Sequence, residues 1–167
     1  MPAGQLTIES ARPGDVADVV AMIRALAEYE HLAHLCVCDA ESLQAALFGP
    51  APAAEVLIAR RQQDVAGFAL FFPTFSTFLA RRGLWLEDLF VVPEHRGAGV
   101  GTALLRSVAA VALARNAGRF EWAVLDWNAP AIGFYERLGA TIMPDWRIAR
   151  VSGVALAELA GDPPAQR

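Results

Sequence analysis

Three glycines alternate with small residues in the stretch Arg96-Gly-Ala-Gly-Val-Gly-Thr102, which joins two apolar segments of different periodicity. The segment before it, Leu84–Val92, is apolar and β-branched enough for a buried strand, and Pro93 ends it by removing a backbone donor. The segment after it repeats apolar residues at a helical spacing, at Leu104, Leu105, Val108, Val111 and Ala112. The glycines therefore lie at the start of a predicted helix.

A glycine turn at a helix start predicts an anion site. Residues without a Cβ let a ligand approach the backbone, where amide N–H groups and the positive end of the helix dipole attract negative charge. Arg96 adds a positive side chain beside the glycines. We expect an anion such as pyrophosphate there; a tight turn without a ligand is the alternative for a glycine cluster taken alone.

Two common phosphate-binding motifs are disfavoured. A P-loop ends in Gly-Lys-Ser/Thr, whereas all 14 basic residues of this chain are arginines, so a kinase or ATPase is not expected. The dinucleotide motif has the spacing Gly-x-Gly-x-x-Gly after the first strand of its fold, whereas here the spacing is Gly-x-Gly-x-Gly and lies beyond mid-chain. A nicotinamide site therefore fits poorly.

A second motif runs from Leu125 to Gly139 and is typical of a strand end, a capped helix and a glycine stop. Asn128 is a good N-cap, and Pro130 lies in the first turn, where a missing N–H costs little. Gly139 can adopt the left-handed conformation that closes a helix. The predicted helix carries Ile132, Tyr135 and Leu138 on one face.

Together the two motifs resemble the GNAT superfamily of acetyl-CoA-dependent N-acetyltransferases: Arg96-Gly-Ala-Gly-Val-Gly is followed by Asn128-x-Pro-x-Ile-x-Phe-Tyr135. The blocks Ala27–Glu30, Thr77-Phe-Leu, Leu86–Val91, Trp127–Tyr135 and Trp146-Arg147 are similar to its spermidine/spermine and thialysine N-acetyltransferase branch. The resemblance implies an α/β (α+β) fold with a mixed, twisted sheet of about six or seven strands and helices on both faces.

The resemblance also implies acetyl-CoA as co-substrate, with the pantetheine arm entering where two parallel strands part. A backbone N–H of Phe90 or Val91 would then donate to the acetyl carbonyl as negative charge develops on it. Asn128 has two compatible roles, helix cap and cofactor contact. The predicted cofactor-binding residues are Leu89, Phe90, Val91, Arg96, Gly97, Ala98, Gly99, Val100, Gly101, Thr102, Asn128, Pro130 and Tyr135.

Acetylation of an amine needs a base, because an alkylammonium with a pKa near ~10.4 has no lone pair at neutral pH. Glu87, late in the predicted buried strand, is the candidate base, directly or through water, and the resemblance indicates the same residue. Asp88 projects to the opposite face of a regular strand, so only one of the two acids enters the cleft unless a bulge intervenes. The alternative is that both acids only tie the strand to its neighbours.

Tyr135 is the candidate general acid. The leaving thiolate has a pKa around ~8.5 and a phenol titrates near ~10, so a tyrosine can protonate the departing sulfur. A lone helical tyrosine is more often a core residue, and it is the match to the Phe-Tyr position of the family that implies catalysis.

The resemblance assigns substrate binding to Tyr29, Glu30 and Glu87, an aromatic face and two carboxylates for an extended cationic amine. Thr77 stands where polyamine-specific members have an acid, so a diamine or a lysine-like amino acid fits as well as spermidine. Two other functions stay open: a protein or peptide N-acetyltransferase, and a sensor module that binds acetyl-CoA without turnover.

Composition favours one domain, residues 1–160, followed by a flexible tail at 161–167, since the 167 residues are 55% hydrophobic. No apolar run reaches the length of a membrane span, and the N-terminus lacks a signal-peptide pattern. Cys36 and Cys38 are expected to be reduced thiols in a cytoplasmic protein, and no metal site is expected. A net charge of −4 without a basic stripe argues against nucleic acid, and the resemblance implies a homodimer.

Periodicity and turn residues predict the remaining elements. Strands are expected at Gln5–Glu9, Glu55–Arg61, Val65–Phe72, Leu84–Val92, Phe120–Leu125 and near Trp146–Val151. Helices are expected from Arg12 to Tyr29, Ala40 to Leu47, the glycines to Asn116, Asn128 to Gly139, and over 154–160, with a loop from Pro73 to Gly83.

Overall fold

The structure, a computed structural model, describes residues 5–161, so the predicted flexible tail lies outside the described residues except for Gly161. The chain divides into two compact units, with the boundary between Ala123 and Val124. That residues 1–160 act as a single domain remains a prediction.

The larger unit contains a mixed sheet in the order β1-β2-β3-β4-β5, in which neighbours are antiparallel except for the parallel pair β4 and β5. Its strands are β1 Leu6–Ser10, β2 Glu55–Arg61, β3 Asp64–Ser76, β4 Arg81–Val91 and β5 Phe120–Trp122. Its helices are α1 Val16–Tyr29, α2 Ala40–Phe48 and α3 Val100–Ala114. The expected fold class, a mixed sheet with flanking helices, is confirmed.

Helices cover both faces of this sheet. On one face, α1 and α2 bury a cluster with the strand side chains of Ile58, Phe68 and Phe90. Strand side chains that point to the other face, such as Phe71 and Leu86, are also buried, and α3 packs against that face. The long strands of the sheet are therefore hydrophobic on both faces.

Strand β4 contains a bulge in its middle. Leu70 of β3 pairs with Asp88, whereas the next residue, Phe71, pairs with Leu86, so Glu87 has no partner on β3. One extra residue reverses the alternation of side chains along a strand. Leu86 therefore faces α3, while Asp88 shares the α1 face with Leu70.

Strands β4 and β5 pair only briefly. Their parallel register runs from Leu84 opposite Phe120 to Leu86 opposite Trp122, where β5 ends. Within the described part of the larger unit, residues 87–91 of β4 therefore extend beyond the end of β5 and have no strand beside them on that edge.

The smaller unit contains α4, Ala129–Arg137, and α5, Gly153–Leu159. The Asn128 side chain accepts a hydrogen bond from the Ala131 amide at 3.3 Å, and Pro130 lies in the first turn, so the predicted helix start is confirmed. At the other end Gly139 has a φ of 92°, with bonds from Gly139 N to Glu136 O and from Ala140 N to Tyr135 O. That pattern is a Schellman motif, which satisfies the last carbonyls of the helix.

Three predictions about strands are wrong. Much of the expected loop from Pro73 to Gly83 is strand, because β3 runs on to Ser76 and β4 begins at Arg81. The strand expected over Phe120–Leu125 ends at Trp122. The strand expected near Trp146–Val151 does not form within residues 5–161, where its alternating side chains have no neighbouring strand to pair with, so five strands are present there rather than six or seven.

None of the helices in residues 5–161 has the length and apolar character needed to cross a bilayer.

Candidate active site

The bulge in β4 brings both of its acidic residues to the α1 face. Asp88 pairs with Leu70, which belongs to the core cluster under α1 and α2. Trp85 pairs with Phe72, which packs against the same cluster, and its Nε1 donates to Glu87 Oε2 at 2.9 Å. The expectation that only one acid faces the cleft was conditional on a regular strand, and the bulge removes that condition.

Asp88 has a strongly perturbed titration. Burial, followed by the negative charges of Glu87 and Glu30, raises its pKa from 3.8 to about 6. Burial also raises the pKa of Glu30, which caps the end of α1. The charges of Glu87 and Glu30 both act on Asp88, so two carboxylates of the bulge and one at the end of α1 form an electrostatically coupled cluster. Such a cluster attracts a cation and can accept its proton.

Arg96 connects the predicted cofactor turn with the predicted substrate residue Tyr29. Its guanidinium carbon lies 5.3 Å from the ring centre of Tyr29 and 5.5 Å from that of Phe90, within cation–π range. Its Nε donates to the carbonyl of Val91 at 3.0 Å, at the end of β4. These side chains line a groove of about 420 Å³ between α1 and the end of β4.

The glycine turn is open on its outer side. Gly97 and Gly99 have φ values of 72° and 80°, which favour glycine, and a Cβ on either would meet nothing within 4 Å. Gly99 is the N-cap of α3, and the first intrahelical bond runs from Ala103 N to Gly99 O. The amides of Val100, Gly101 and Thr102 thus precede the first helical donor, the Ala103 amide, which leaves them for a ligand or water.

The remaining predicted cofactor residues fall into two groups. Leu89, Phe90 and Val91 lie in the part of β4 that extends beyond β5, and among the described residues of the larger unit no strand pairs with that edge of β4. Asn128, Pro130 and Tyr135 lie in the smaller unit, where Tyr135 is buried on α4 and its ring centre is 5.2 Å from that of Phe134. Their roles remain predictions.

Two residues that lie at the site in the structure, Asp88 and Arg61, are not among the residues predicted from the sequence. A regular strand would put Asp88 on the face opposite Glu87, and the register shift that changes this depends on β3 and not on β4 alone. Arg61, at the end of β2, donates from Nη2 to the carbonyl of Ala98 at 2.9 Å, inside the glycine turn. Its only sequence signal was a basic residue at the end of a strand.

A second groove, of about 460 Å³, lies against α2 and the start of β2. Apolar side chains line most of it, and its charged residues, Glu55 and Arg115, pair with each other at 2.6 and 2.7 Å. Within residues 5–161 no three His, Cys, Asp or Glu side chains are arranged so that they could hold a metal ion. The acids and the open turn therefore mark the candidate site.

The sequence matches the model of the Acetyltransferase (GNAT) family over residues 22–140. Thialysine N-epsilon-acetyltransferase of Mus musculus is 39% identical over 165 residues, 92% of this chain and 96% of the mouse protein. L-ornithine N5-acetyltransferase of Arabidopsis thaliana is 48% identical over 92 residues, 55% of this chain and 40% of the plant protein.

Solved structures share the fold. An integron cassette protein from the mobile metagenome of V. cholerae has a TM-score of 0.78 at 24% identity, covering 93% of this chain and 97% of its own. An aminoglycoside acetyltransferase, meta-AAC0020 from a soil metagenome, has a TM-score of 0.74 at 16% identity, covering 88% and 95%.

Proposed function

Because this chain belongs to the GNAT acetyltransferase family and is an N-acetyltransferase, we propose that it acetylates the terminal primary amine of a small cationic molecule, with acetyl-CoA as donor. A lysine-like amino acid is the first choice of acceptor, ahead of a diamine or a polyamine. Names of relatives support this order, since one of them acts on thialysine and another on ornithine.

The acidic cluster carries the proposal. Burial, followed by the charges of Glu87 and Glu30, raises the pKa of Asp88, so the three carboxylates act on one another. A compact group of carboxylates favours a cation at short range, and most strongly where water is partly excluded. A short ammonium-bearing chain fits a compact cluster better than a long polyamine does, because the polyamine's charges are spread far apart.

We assign acetyl-CoA to the glycine turn and the free part of β4. The open turn, the unpaired first amides of α3 and Arg96 suit a diphosphate, which supports the predicted set from Arg96 to Thr102. Leu89, Phe90 and Val91 would pair with the pantetheine arm, and Asn128 and Pro130 would contact the cofactor from the start of α4.

The proposed reaction is direct transfer. Glu87 and Asp88 act as a proton-accepting pair that removes one proton from the substrate ammonium, directly or through water. The freed nitrogen lone pair attacks the thioester carbonyl carbon, and the oxyanion accepts a hydrogen bond from the Phe90 or Val91 amide. The C–S bond then breaks, the sulfur leaves with its electron pair and takes the proton of Tyr135, and the nitrogen loses its second proton to the resulting tyrosinate, directly or through water. Tyr29 and Glu30 hold the rest of the amine.

A thiol-release assay tests this function. Purified protein with acetyl-CoA is offered thialysine, lysine, ornithine, cadaverine, spermidine, an aminoglycoside and peptides with lysine or free N-termini. We expect the highest kcat/KM for a lysine-like amino acid, and cadaverine shows what the substrate carboxylate contributes. Preference for a peptide would replace the proposed acceptor with a protein, and CoA binding without thiol release from any amine would favour a sensor.

We also propose a homodimer, in line with the resemblance. The smaller unit exposes many apolar side chains along one stretch of chain, a surface that a stable monomer rarely leaves to water. They are Met143, Trp146, Ile148, Val151, Val154, Leu156 and Leu159, with relative exposures between 46% and 75%. A second copy that covers this stretch would remove it from solvent.

The proposed dimer predicts the mass of two chains in solution. Light scattering of the parent should give twice the chain mass of 17.9 kDa, whereas the double variant W146E/I148E should give the single mass. Both substituted side chains are exposed, 75% for Trp146 and 66% for Ile148, so the change leaves the buried core intact. The control R147E reverses a charge between them without removing apolar area. A parent that stays monomeric at micromolar concentration contradicts the proposal.

We propose a cytoplasmic location as well. Cys36 and Cys38 are both free thiols. Unpaired cysteines are the rule where glutathione and thioredoxin keep thiols reduced.

A further inference from the structure

We infer that Arg61 is a positioning residue for the donor, which fixes one peptide group of the glycine turn so that its N–H faces the diphosphate of CoA. The inference rests on the proposed binding of CoA at that turn. It concerns a residue on β2, outside the turn itself and outside the acidic cluster.

The position of Arg61 is set by the sheet. Its backbone pairs with Leu6 of β1 and with Asp64 of β3, so its Cα is held from both sides. The preceding residue, Arg60, points to the α1 face, where it bonds to Glu9 and Asp15. Successive side chains alternate along a strand, so Arg61 points to the other face, which α3 covers.

From that face the guanidinium reaches the turn. Nη2 of Arg61 donates to the carbonyl oxygen of Ala98 at 2.9 Å. The Nε of the same side chain is buried and has no hydrogen-bond partner among the described residues. An unpaired buried donor destabilises the folded state. Arg61 therefore reaches Ala98 in an arrangement that leaves its buried Nε–H without a partner among the described residues.

The bond determines where the next amide points. In a trans peptide the carbonyl of Ala98 and the N–H of Gly99 lie in one plane and point in opposite directions. With the carbonyl held by Arg61, the Gly99 N–H points away from the guanidinium. Gly99 is the N-cap of α3, so this amide adds to the free N–H groups at the helix start.

The turn needs such a restraint because glycine makes it adaptable. Gly97 and Gly99 flank Ala98, both have positive φ, and nothing lies within 4 Å of a Cβ on either. Glycine accepts both signs of φ at little cost, so the peptide plane between Ala98 and Gly99 can rotate. A turn that is ordered before binding loses less entropy when the ligand arrives. Arg61 supplies that order from the sheet.

The test compares two acetyl donors, acetyl-CoA and S-acetylpantetheine, which lacks the diphosphate. In R61M, which keeps the length and apolar stem of the side chain, we expect the Kd for CoA to rise about tenfold, the loss of one charge-assisted hydrogen bond. The ratio of kcat/KM for acetyl-CoA to that for S-acetylpantetheine should fall by a similar factor. R61K, which keeps a charged donor, should recover part of both values.

A control variant distinguishes a specific effect of Arg61 from the loss of any arginine. R106M removes an exposed arginine from α3 and should leave the donor ratio at the parent value. An unchanged CoA affinity in R61M, or an equal loss with both donors, overturns the inference, because the second result is that of general structural damage. If the parent itself binds no CoA by calorimetry, the proposed function fails first.

Discussion

Replacing Asp88 by asparagine should make the protein more stable and much slower. Burial and the charges of Glu87 and Glu30 raise the pKa of Asp88 from 3.8 to about 6. Between about pH 4 and pH 6 the folded protein keeps a proton that the unfolded chain has released, so the free energy of unfolding falls as pH rises through this window. Above it the penalty amounts to about 3 kcal/mol.

Asparagine removes that penalty because it carries no charge at any pH. We expect D88N to raise the free energy of unfolding at pH 7.5 by about 1 to 3 kcal/mol and to flatten its pH dependence in the same window. Chemical denaturation at several pH values measures both. D145N, the same substitution at an exposed site, should change neither. A less stable D88N at pH 7.5 contradicts the raised pKa.

The kinetic half of the prediction separates the two acids. If Asp88 accepts the proton, kcat/KM of D88N falls about 100-fold or more and the acidic limb near pH 6 disappears. If Glu87 alone accepts the proton, the acidic limb of the kcat/KM profile disappears in E87Q and persists in D88N. The two groups interact, so the limb belongs to the pair, and both variants are needed to apportion it. A pH-rate profile unchanged in both excludes the proton-accepting pair.

Substitution of Tyr135 by phenylalanine should lower turnover about 100-fold, near the lower end for a general acid, because a thiolate is already a good leaving group. The ring stays, including its contact with Phe134 at 5.2 Å, so α4 keeps its packing. The Kd for CoA should match the parent. Stopped-flow thiol release and calorimetry measure the two quantities separately.

Two outcomes contradict the acid assignment. Equal kcat in Y135F and the parent shows that the hydroxyl is dispensable. A loss of activity that follows a weaker Kd for CoA shows instead that Tyr135 binds the donor.

Local signals predicted the parts of the fold that local chemistry determines. The Asn128 cap, the Pro130 first turn and the Gly139 stop depend on residues within one helix, and all three are present. The glycine turn is of the same kind, since positive φ at Gly97 and Gly99 suits only glycine well. These features can be identified from the local sequence alone.

Features that depend on a neighbouring strand could not be predicted. The bulge at Glu87 exists only in the register of β4 against β3, and the residues of β4 alone do not show where that register shifts. Arg61 matters because β2 ends near the turn, which is a result of sheet order. The expected strand near Trp146 failed for the converse reason: its pattern suits a strand, but within residues 5–161 no partner pairs with it.

The extra residue in β4 also explains how a strand buried on both faces carries two adjacent carboxylates. Because the bulge adds one residue, Leu86 and Leu89 lie on the same face of the sheet although they are three positions apart. A regular strand would have driven one carboxylate of any adjacent pair beneath α3. Here the bulge leaves both carboxylates on the α1 side of the sheet.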